Sequence, residues 1–286
     1  MIRHATRLLL LLLSGSLCGS VALAATDMVW RELDPDNTVL IELTQGRVVV
    51  ELNPIFAPQT VAQFKRLVLS RFYDGLSFYR VIDGFVAQGG DGSDLGELSN
   101  VPLIDAEFSI DWPDDLPYTP VQSPDFFAPQ TGFVNGFAVA RDSAKGEAWL
   151  THCPGTIAMA RNEDAHSSRT DFYIVIGQAP RYLDRNMNVF GRVVLGMEWV
   201  QSISRGPADQ NGIIQSDLAR SRIRSVRLLG EFPKDERWHV LTMDTHSKAF
   251  RQLLDDRRER RQKFFINKPP PLLDICQIPL SGQMTK

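Results

Sequence analysis

The sequence has little of the chemistry on which most hydrolases and metalloenzymes depend. Its 286 residues include three cysteines and five histidines, and none of these stands in a nucleophile motif or in a cluster with metal-ligand spacing. Acidic residues slightly outnumber basic ones, which gives a formal net charge of −3 and no excess of positive charge for binding nucleic acid. We therefore expect no metal, no cofactor and no nucleic-acid partner.

Long apolar runs are also scarce, and the one clear run lies near the beginning of the chain. Two arginines precede the unbroken apolar residues 8–13, and small residues follow up to Ala24. A basic start, a short apolar core and a small-residue cleavage site are the three parts of a secretory signal peptide. We expect residues 1–24 to be removed on export to a periplasm, with secretion to the medium as the alternative, and no membrane span in the mature chain. An uncleaved anchor and lipidation at Cys18 are the alternatives.

Two cysteines remain after that removal, Cys153 and Cys276. Export places them where disulfides form and persist. Spacing in the sequence does not decide whether they pair, because the two Cα atoms must come within about 7 Å of each other. A disulfide between them and two separate buried thiols both stay open at this point.

Short β-branched and apolar runs dominate the chain between residues 38 and 229. Residues 38–43 and 48–52 flank a Gln-Gly turn and predict a β-hairpin. Residues 57–70 have a proline in the first turn and apolar residues at helical spacing, which predicts a helix. Many short strands with few helices are typical of a closed or nearly closed β-barrel. The other predicted elements are strands at residues 77–81, 85–88, 156–160, 172–176, 189–194 and 223–229, and a second helix at residues 196–204.

Two segments depart from this pattern. Residues 98–152 hold six prolines and many aromatic residues with little periodicity, and their length indicates an insertion rather than a connection. The insertion has either a small aromatic core of its own or the role of a lid or partner surface. The tail predicts a highly charged helix at residues 247–265. Mixed charge at helical spacing is typical of a solvated face, and a partner-binding helix is the alternative.

Residues 78–91 read FYRVIDGFVAQGGD, and this run resembles the signature of the cyclophilin family. The other matching segments, in the family's order, are the hairpin with the first helix, PGTIAMA with DFYIVIG, and YLDRNMNVFGRVVLGME. The resemblance implies a mainly β fold, a closed eight-stranded antiparallel barrel capped by two helices, with an irregular insertion and a C-terminal helical extension. The predicted domains are a signal peptide (1–24), a cyclophilin-like domain (25–230) and an extension (231–286).

The resemblance also implies an activity, peptidyl-prolyl cis/trans isomerisation, and the residues that carry it. Arg80 would be the catalytic arginine, Gln88 its polar neighbour, and Phe85 part of the apolar pocket for the proline ring. The other matching positions are Met159, Tyr173 and Leu183 in the pocket and Ala160, Arg161 and Asn162 along the peptide groove. No covalent bond breaks in this reaction, so no cofactor is required. The expected partners are proline-containing segments of exported proteins.

Six positions depart from the family pattern, namely Tyr79, Asp83, Asp171, Tyr173, Tyr182 and Met187. Asp171 stands where glutamine is usual, and we expect it to face the groove beside Arg80, where it would pair with the guanidinium or compete with the substrate. Tyr173 replaces a phenylalanine and brings a hydroxyl that needs a partner. Tyr182, expected to bind substrate, stands where many eukaryotic members have tryptophan, which argues against tight cyclosporin binding.

Two other functions stay open from the sequence. The chain could be a cyclophilin-like module that binds proline-containing segments or one partner without useful turnover, which Asp171, Tyr173 and the insertion favour. It could also be an envelope-associated protein that uses its tail helix. In that case co-purification would depend on residues 247–265 and not on Arg80.

Overall fold

The computed structural model of the protein describes residues 28–92, 100–113 and 115–286. The predicted signal peptide and Cys18 lie outside the described residues, as do residues 93–99. The α-helices of the described ranges are α1 (Pro58–Leu69), α2 (Met197–Gln201) and α3 (Lys248–Glu259). The strands of the same ranges are β1 (Trp30–Glu32), β2 (Thr38–Leu43), β3 (Arg47–Leu52), β4 (Ser77–Ile82), β5 (Val86–Gly90), β6 (Ile110–Asp111), β7 (Thr119–Gln122), β8 (Gln130–Val134), β9 (Phe137–Asp142), β10 (Glu147–Leu150), β11 (Thr156–Met159), β12 (Phe172–Val175), β13 (Val189–Leu195), β14 (Ser221–Leu228), β15 (His239–Met243) and β16 (Gly282–Thr285).

Eight of these strands close into an antiparallel barrel, which confirms the predicted architecture. Their order around the barrel is β11-β12-β5-β4-β14-β2-β3-β13, and β13 pairs with β11 to complete the circle. Successive residues of a strand face opposite sides of the sheet. Ile157 and Ile174 therefore lie in the barrel core, whereas their neighbours Ala158 and Tyr173 belong to a second apolar cluster outside it.

Two helices cap the barrel core, as predicted. α1 contributes Val61, Phe64, Leu67 and Val68 to that core, and their spacing places all four on one face of the helix. α2 contributes Val200. It is shorter than predicted, because it begins after Gly196, which adopts a left-handed conformation, and ends before the predicted limit at residue 204.

The insertion is not irregular, and this part of the fold prediction is wrong. Its strands form a five-stranded antiparallel sheet in the order β6-β10-β9-β8-β7. Pro120 lies in β7, an edge strand of that sheet, where a missing backbone N–H is tolerated. Gly132 lies in β8, where Tyr118 and the backbone of Thr119 occupy the space that a Cβ would need. These two residues interrupt the strand pattern in the sequence.

One apolar face of this sheet packs on the barrel, and within its described residues the insertion's own cluster is limited to Ala128, Ala140 and Trp149. Val134, Phe137 and Leu150 from the sheet share one cluster with Val175 and Val189 from the outer face of the barrel. The insertion thus covers the barrel strands that lie beside the predicted groove.

The C-terminal extension adds a small sheet and one helix. β1, β15 and β16 form a three-stranded antiparallel sheet, so the first described strand pairs with the tail. α3 packs Phe250 against Phe133 of the insertion. The helix ends before the predicted limit at residue 265, because Arg260 adopts a left-handed conformation (φ 46°).

Cys153 and Cys276 form a disulfide, with Cα atoms 4.9 Å apart. The bond joins the end of the insertion to the C-terminal extension. The sequence left open a disulfide or two separate buried thiols, and the structure has the disulfide. Within the described ranges, no helix has both the length and the apolar character needed to cross a bilayer.

Glu51 links the barrel to the sheet formed by β1, β15 and β16. Its Oε2 accepts hydrogen bonds from Arg192 Nη2 (2.9 Å) and Nε (3.2 Å), and its Oε1 lies 2.8 Å from Arg31 Nη2. Arg192 Nη2 also donates to Thr242 Oγ1 (3.2 Å) on β15. The side chains of Glu51 and Arg192 are only 8% and 11% exposed, so both charges depend on this pairing.

We expect Glu51→Gln to lower the free energy of unfolding by about 3 kcal/mol, because it leaves a buried guanidinium without its counter-charge. The matched control is Glu42→Gln. Glu42 pairs with Arg47 on the neighbouring strand, and both side chains are about a third exposed, so its loss should cost less than about 1 kcal/mol. Urea denaturation of both variants checks the difference, and equal losses would contradict the role assigned to Glu51.

Candidate functional site

A β-bulge in β4 sets the direction of two polar side chains. Phe78 pairs with Gly89 and Arg80 pairs with Gln88, so Tyr79 is an extra residue on this strand. A bulge re-aims side chains that would otherwise alternate between the two faces. As a result, Tyr79 and Arg80 both line one groove on the outside of the barrel.

Among the residues that the structure describes, amide groups and not a carboxylate hold the guanidinium of Arg80. Nη1 donates to Gln88 Oε1 (3.0 Å), and Nε donates to the backbone carbonyl of Asn211 (3.2 Å). Nη2 donates to Asn211 Oδ1 at 3.4 Å. A guanidinium carries five N–H groups, so two of them have no hydrogen-bond acceptor among the described residues. These two are available to a ligand in the groove.

The residues that hold Arg80 are themselves fixed. Gln88 Nε2 donates to Tyr79 Oη (2.5 Å), and because an amide has one donor end and one acceptor end, this bond turns the Gln88 oxygen toward Arg80. Asn211 lies in a loop that pairs with β4, where Val81 N donates to Gly212 O (2.7 Å) and Ile214 N donates to Tyr79 O (2.8 Å). The polar side of the groove is therefore preorganised.

An apolar surface adjoins this polar side. It is lined by Phe85, Val86, Tyr173, Leu183 and Met187. Phe85 follows a tight turn in which Gly84 has φ 69°, a conformation that favours glycine. Ala160, Arg161 and Asn162 also line the groove, whose volume is about 800 Å³. That volume is typical of a ligand-binding cleft.

Tyr173 has the hydrogen-bond partner that its hydroxyl requires. Burial raises the pKa of Tyr173 well above its ordinary value, so the hydroxyl stays protonated. Its Oη lies 2.9 Å from His152 Nε2. The ring of Tyr173 lines the groove, and His152 is not among the residues that line it.

The structure brings most of the predicted site residues together. Those that line the common groove are Arg80, Phe85, Gln88, Ala160, Arg161, Asn162, Tyr173 and Leu183. Tyr182 does not line it: it is 67% exposed on the short 3₁₀ turn Arg181–Leu183. Of the two predicted site residues in that turn, Tyr182 and Leu183, only Leu183 lines the groove.

Met159 and Asp171 are placed differently from the prediction. Met159 is fully buried in the barrel core, because Ala158 and Ala160 on either side of it face outward and strand residues alternate. Asp171 is also fully buried. Its Oδ1 accepts a hydrogen bond from Gly92 N (3.2 Å) and occupies the place where a Cβ on Gly90 would lie. The expected position of Asp171 in the groove beside Arg80 is wrong.

Sequence reasoning missed several residues that shape the groove. Tyr79 and Met187 were noted only as departures from the family pattern, and Val86 follows Phe85 within the matched run. Asn211 lies in a loop with no periodicity, so no pattern pointed to it. His152 was set aside because it stands in no nucleophile motif, although an unpartnered tyrosine hydroxyl was a signal that such a residue should exist.

The site can bind and polarise, but its geometry suggests no covalent step. A fixed cation with two available N–H donors lies beside an apolar surface large enough for a ring. Such a pair can hold an apolar ring in place and stabilise a lone pair or carbonyl oxygen next to it.

Comparison with known proteins gives a consistent result. Residues 38–227 match the family of cyclophilin type peptidyl-prolyl cis-trans isomerases. A probable peptidyl-prolyl cis-trans isomerase from Brucella suis is 32% identical over 195 residues, which cover 64% of this chain and 79% of the relative. Peptidyl-prolyl cis-trans isomerase A from Dickeya dadantii is 28% identical over 184 residues, which cover 62% of this chain and 76% of the relative.

A solved structure extends the similarity beyond the barrel. The crystal structure of the cyclophilin AquaCyp293 from Hirschia baltica matches with a TM-score of 0.73 and 29% sequence identity. The match covers 89% of this chain and 93% of that protein. This coverage exceeds the 38–227 range of the family match, so parts of the chain outside the matched range also have counterparts there.

Proposed function

This chain belongs to the cyclophilin-type peptidyl-prolyl cis-trans isomerase family and is an enzyme of that class, and we propose that Arg80 is its catalytic residue and that exported proteins are its substrates. The observation that carries the proposal is the arrangement of Arg80 and Phe85. Both line one open groove, and Arg80 is bound there by amide oxygens.

The reaction requires a site that prefers a twisted amide to a planar one. Resonance in the X–Pro bond opposes rotation with a barrier of roughly 18–20 kcal/mol, and uncatalysed exchange takes roughly tens to hundreds of seconds. Binding that is tighter to the twisted state than to either planar isomer lowers this barrier, whereas equal binding to all of them does not.

Arg80 can supply that preference. When the amide twists, the proline nitrogen loses its conjugation, becomes pyramidal and gains a lone pair that accepts a hydrogen bond. A guanidinium is always charged and donates from a fixed planar fork. The available N–H groups of Arg80 can donate to the nitrogen or hold the adjoining carbonyl, and Gln88 and Asn211 keep the fork from following the turning bond.

The apolar surface would act as the anchor. Phe85, Tyr173 and Leu183 can hold the proline ring by burying its methylene groups, each of which contributes about 0.8 kcal/mol when removed from water. With the ring held, the part of the peptide that precedes the proline turns. Ala160, Arg161 and Asn162, which also line the groove, would contact that part.

A direct assay separates an active enzyme from a binding module. Cis/trans exchange of a proline-containing tetrapeptide, followed by coupled proteolysis, should be accelerated by the protein beginning at Ala25. Peptide binding without acceleration would favour the binding module. The buried position of Asp171 removes one of the reasons for that alternative, because this carboxylate does not line the groove.

Loss of the Gln88 amide should lower activity through Arg80. In Gln88→Leu the guanidinium loses its 3.0 Å partner, and we expect kcat/KM for the tetrapeptide to fall by at least about tenfold, because small misplacements of a catalytic group are costly. Tyr79→Phe is the matched comparison, since it removes only the hydroxyl that orients Gln88 and should cost about threefold. The reverse order of effects in the same assay would contradict this positioning role.

Export is proposed from the predicted signal peptide, which lies outside the described residues. The disulfide between Cys153 and Cys276 supports it, because such bonds persist in oxidising compartments. Expression of the full chain in a bacterium should yield periplasmic protein that begins at Ala25, as read by mass spectrometry. Full-length protein retained in the cytoplasm would contradict export, and a membrane-bound product would favour the anchor or the lipidated form.

A further inference from the structure

A chain of buried polar side chains runs from the groove to the insertion. Tyr173 Oη lies 2.9 Å from His152 Nε2, and His152 Nδ1 lies 3.2 Å from Asp184 Oδ1. Arg181 Nε donates to Asp184 Oδ2 (2.5 Å), and Arg181 Nη2 donates to Asp125 Oδ1 (3.2 Å). None of these five side chains is an exposed surface group: His152 is fully buried, and Arg181 and Asp125 are 4% and 8% exposed.

The carboxylate of Asp184 sets the direction of the hydrogen bonds. A carboxylate only accepts, so His152 Nδ1 carries the hydrogen that faces it. In the tautomer that carries its hydrogen on Nδ1, Nε2 is the acceptor, and the hydroxyl of Tyr173 donates to it. The backbone N–H of His152 also donates to Asp184 Oδ1 (2.9 Å). Tyr173 thus directs its hydrogen away from the groove.

These contacts tie two apolar residues of the groove to parts outside the barrel. Asp184 follows directly after the turn Arg181–Leu183, which carries the groove residue Leu183, and Tyr173 also lines the groove. At the far end, Asp125 belongs to the insertion, and the Arg181 guanidinium lies over the ring of Phe127 (5.3 Å). His152 directly precedes Cys153, which the disulfide joins to the extension.

Such a network is costly to build unless every member is satisfied, because an unpaired buried polar group loses its hydration without compensation. A phenylalanine in place of Tyr173 would need no His152 behind it. The network instead links a hydroxyl, an imidazole, a carboxylate and a guanidinium, one after another. This arrangement points to a requirement for rigid placement of the Tyr173 ring.

We propose that His152 and Asp184 are positioning residues for isomerisation, which hold the Tyr173 ring and Leu183 as fixed walls of the proline pocket and anchor them to the insertion. This inference rests on the proposed function of the groove. It gives the insertion a second role beside covering the barrel, namely to hold the pocket from behind.

The test is a double-mutant comparison of kcat/KM for the tetrapeptide. His152→Phe keeps a ring but leaves the Tyr173 hydroxyl without its acceptor, so that the hydroxyl must turn toward water or substrate, and kcat/KM should fall about tenfold. Tyr173→Phe removes the hydrogen bond that anchors the ring, and its kcat/KM should fall about threefold. The double variant has no hydroxyl that needs a partner. Its kcat/KM should also fall only about threefold, which would be a partial rescue of His152→Phe.

Independent effects give the opposite result. If His152 contributed only general stability, the two losses would multiply to about thirtyfold in the double variant, and that outcome would overturn the inference, as would an unchanged His152→Phe. The matched control is His239→Phe, since His239 also contacts a carboxylate, that of Glu32 (2.7 Å), but both side chains are more than half exposed. Its kcat/KM should equal that of the wild type.

A measurement on the unaltered protein covers the case in which His152→Phe does not fold. Proton NMR with ¹⁵N-labelled histidine should show a slowly exchanging Nδ1–H of His152 and a slowly exchanging hydroxyl proton of Tyr173, which Tyr173→Phe identifies by its loss. Rapid exchange of both protons would overturn the network. Arg80→Ala in the same assays keeps the two proposals apart: an unimpaired Arg80→Ala defeats the proposed catalytic role, and the His152 results then still decide the network.

Discussion

Arg80→Ala is expected to lower kcat/KM for a proline-containing tetrapeptide by at least about tenfold, while the free energy of unfolding changes by no more than about 1 kcal/mol. The loss in rate follows from the removal of a preorganised donor next to the atoms whose charge changes during rotation. The small effect on stability follows because Arg80 is half-buried at the groove and its partners are uncharged amides, which can take up water when the guanidinium is gone.

Arg80→Lys sharpens this prediction. A lysine keeps the positive charge but has no planar fork. Its three donors share one nitrogen, so it cannot reproduce the separate bonds that Nη1 and Nε of Arg80 make to Gln88 and Asn211. We therefore expect Arg80→Lys to remain closer to Arg80→Ala than to the wild type. Full activity of the lysine variant would show that charge alone is sufficient and would contradict the role of the fixed fork.

The control for both variants is Arg66→Ala. Arg66 lies on α1, where Nη2 donates to Gln63 Oε1 (3.0 Å), and it is not among the residues that line the groove. Its loss should leave kcat/KM unchanged. If Arg66→Ala and Arg80→Ala lowered activity to the same extent, the effect would have to be assigned to stability or net charge.

Removal of the disulfide is expected to lower the free energy of unfolding by about 2–5 kcal/mol. Cys153 and Cys276 are separated by 123 residues, so the bond restricts a long segment of the unfolded chain, and the entropy that it removes there favours the folded state. The two cysteines also belong to an apolar cluster with Phe133, Phe250 and Ile275. Replacing both cysteines by alanine should disturb the packing of this cluster little.

Urea denaturation of Cys153→Ala/Cys276→Ala against the oxidised wild type measures this loss. The reduced wild type serves as the matched control, since it has the same side chains without the bond, and its midpoint should fall with that of the variant. Equal midpoints for the oxidised and reduced protein would contradict the contribution assigned to the bond.

The barrel was predictable because its strands carry their own signal. β2 and β3 are runs of β-branched and apolar residues on either side of a short turn, and the apolar spacing of α1 identifies a helix without any knowledge of its partner. The insertion gives no such signal. Val134 and Phe137 bury their side chains against the outer face of the barrel. The apolar pattern of the insertion can therefore be interpreted only once that barrel surface is known.

The candidate site divides in the same way. Arg80, Phe85 and Gln88 stand in one contiguous run and were found together. Met159 was misplaced although strand parity could have corrected it, because Ala160 was expected in the groove and adjacent residues face opposite sides where a strand has no bulge.

Asp171 and Asn211 show where sequence reasoning ends. Asp171 has the same parity as Tyr173, but it turns into space that Gly90 leaves free, and this requires the pairing of β5 with β12. Asn211 reaches Arg80 from a loop more than a hundred residues away in the chain. Both placements depend on tertiary contacts that no local pattern encodes.

The most direct test of the account is exchange NMR on a proline-containing tetrapeptide with a catalytic amount of the wild-type protein. Without enzyme, the cis and trans signals interconvert over roughly tens to hundreds of seconds. With the wild-type protein we expect exchange between them within about a second, and we expect Arg80→Ala to lose this acceleration. Peptide signals that report binding to the groove while cis/trans exchange keeps its uncatalysed rate would contradict it.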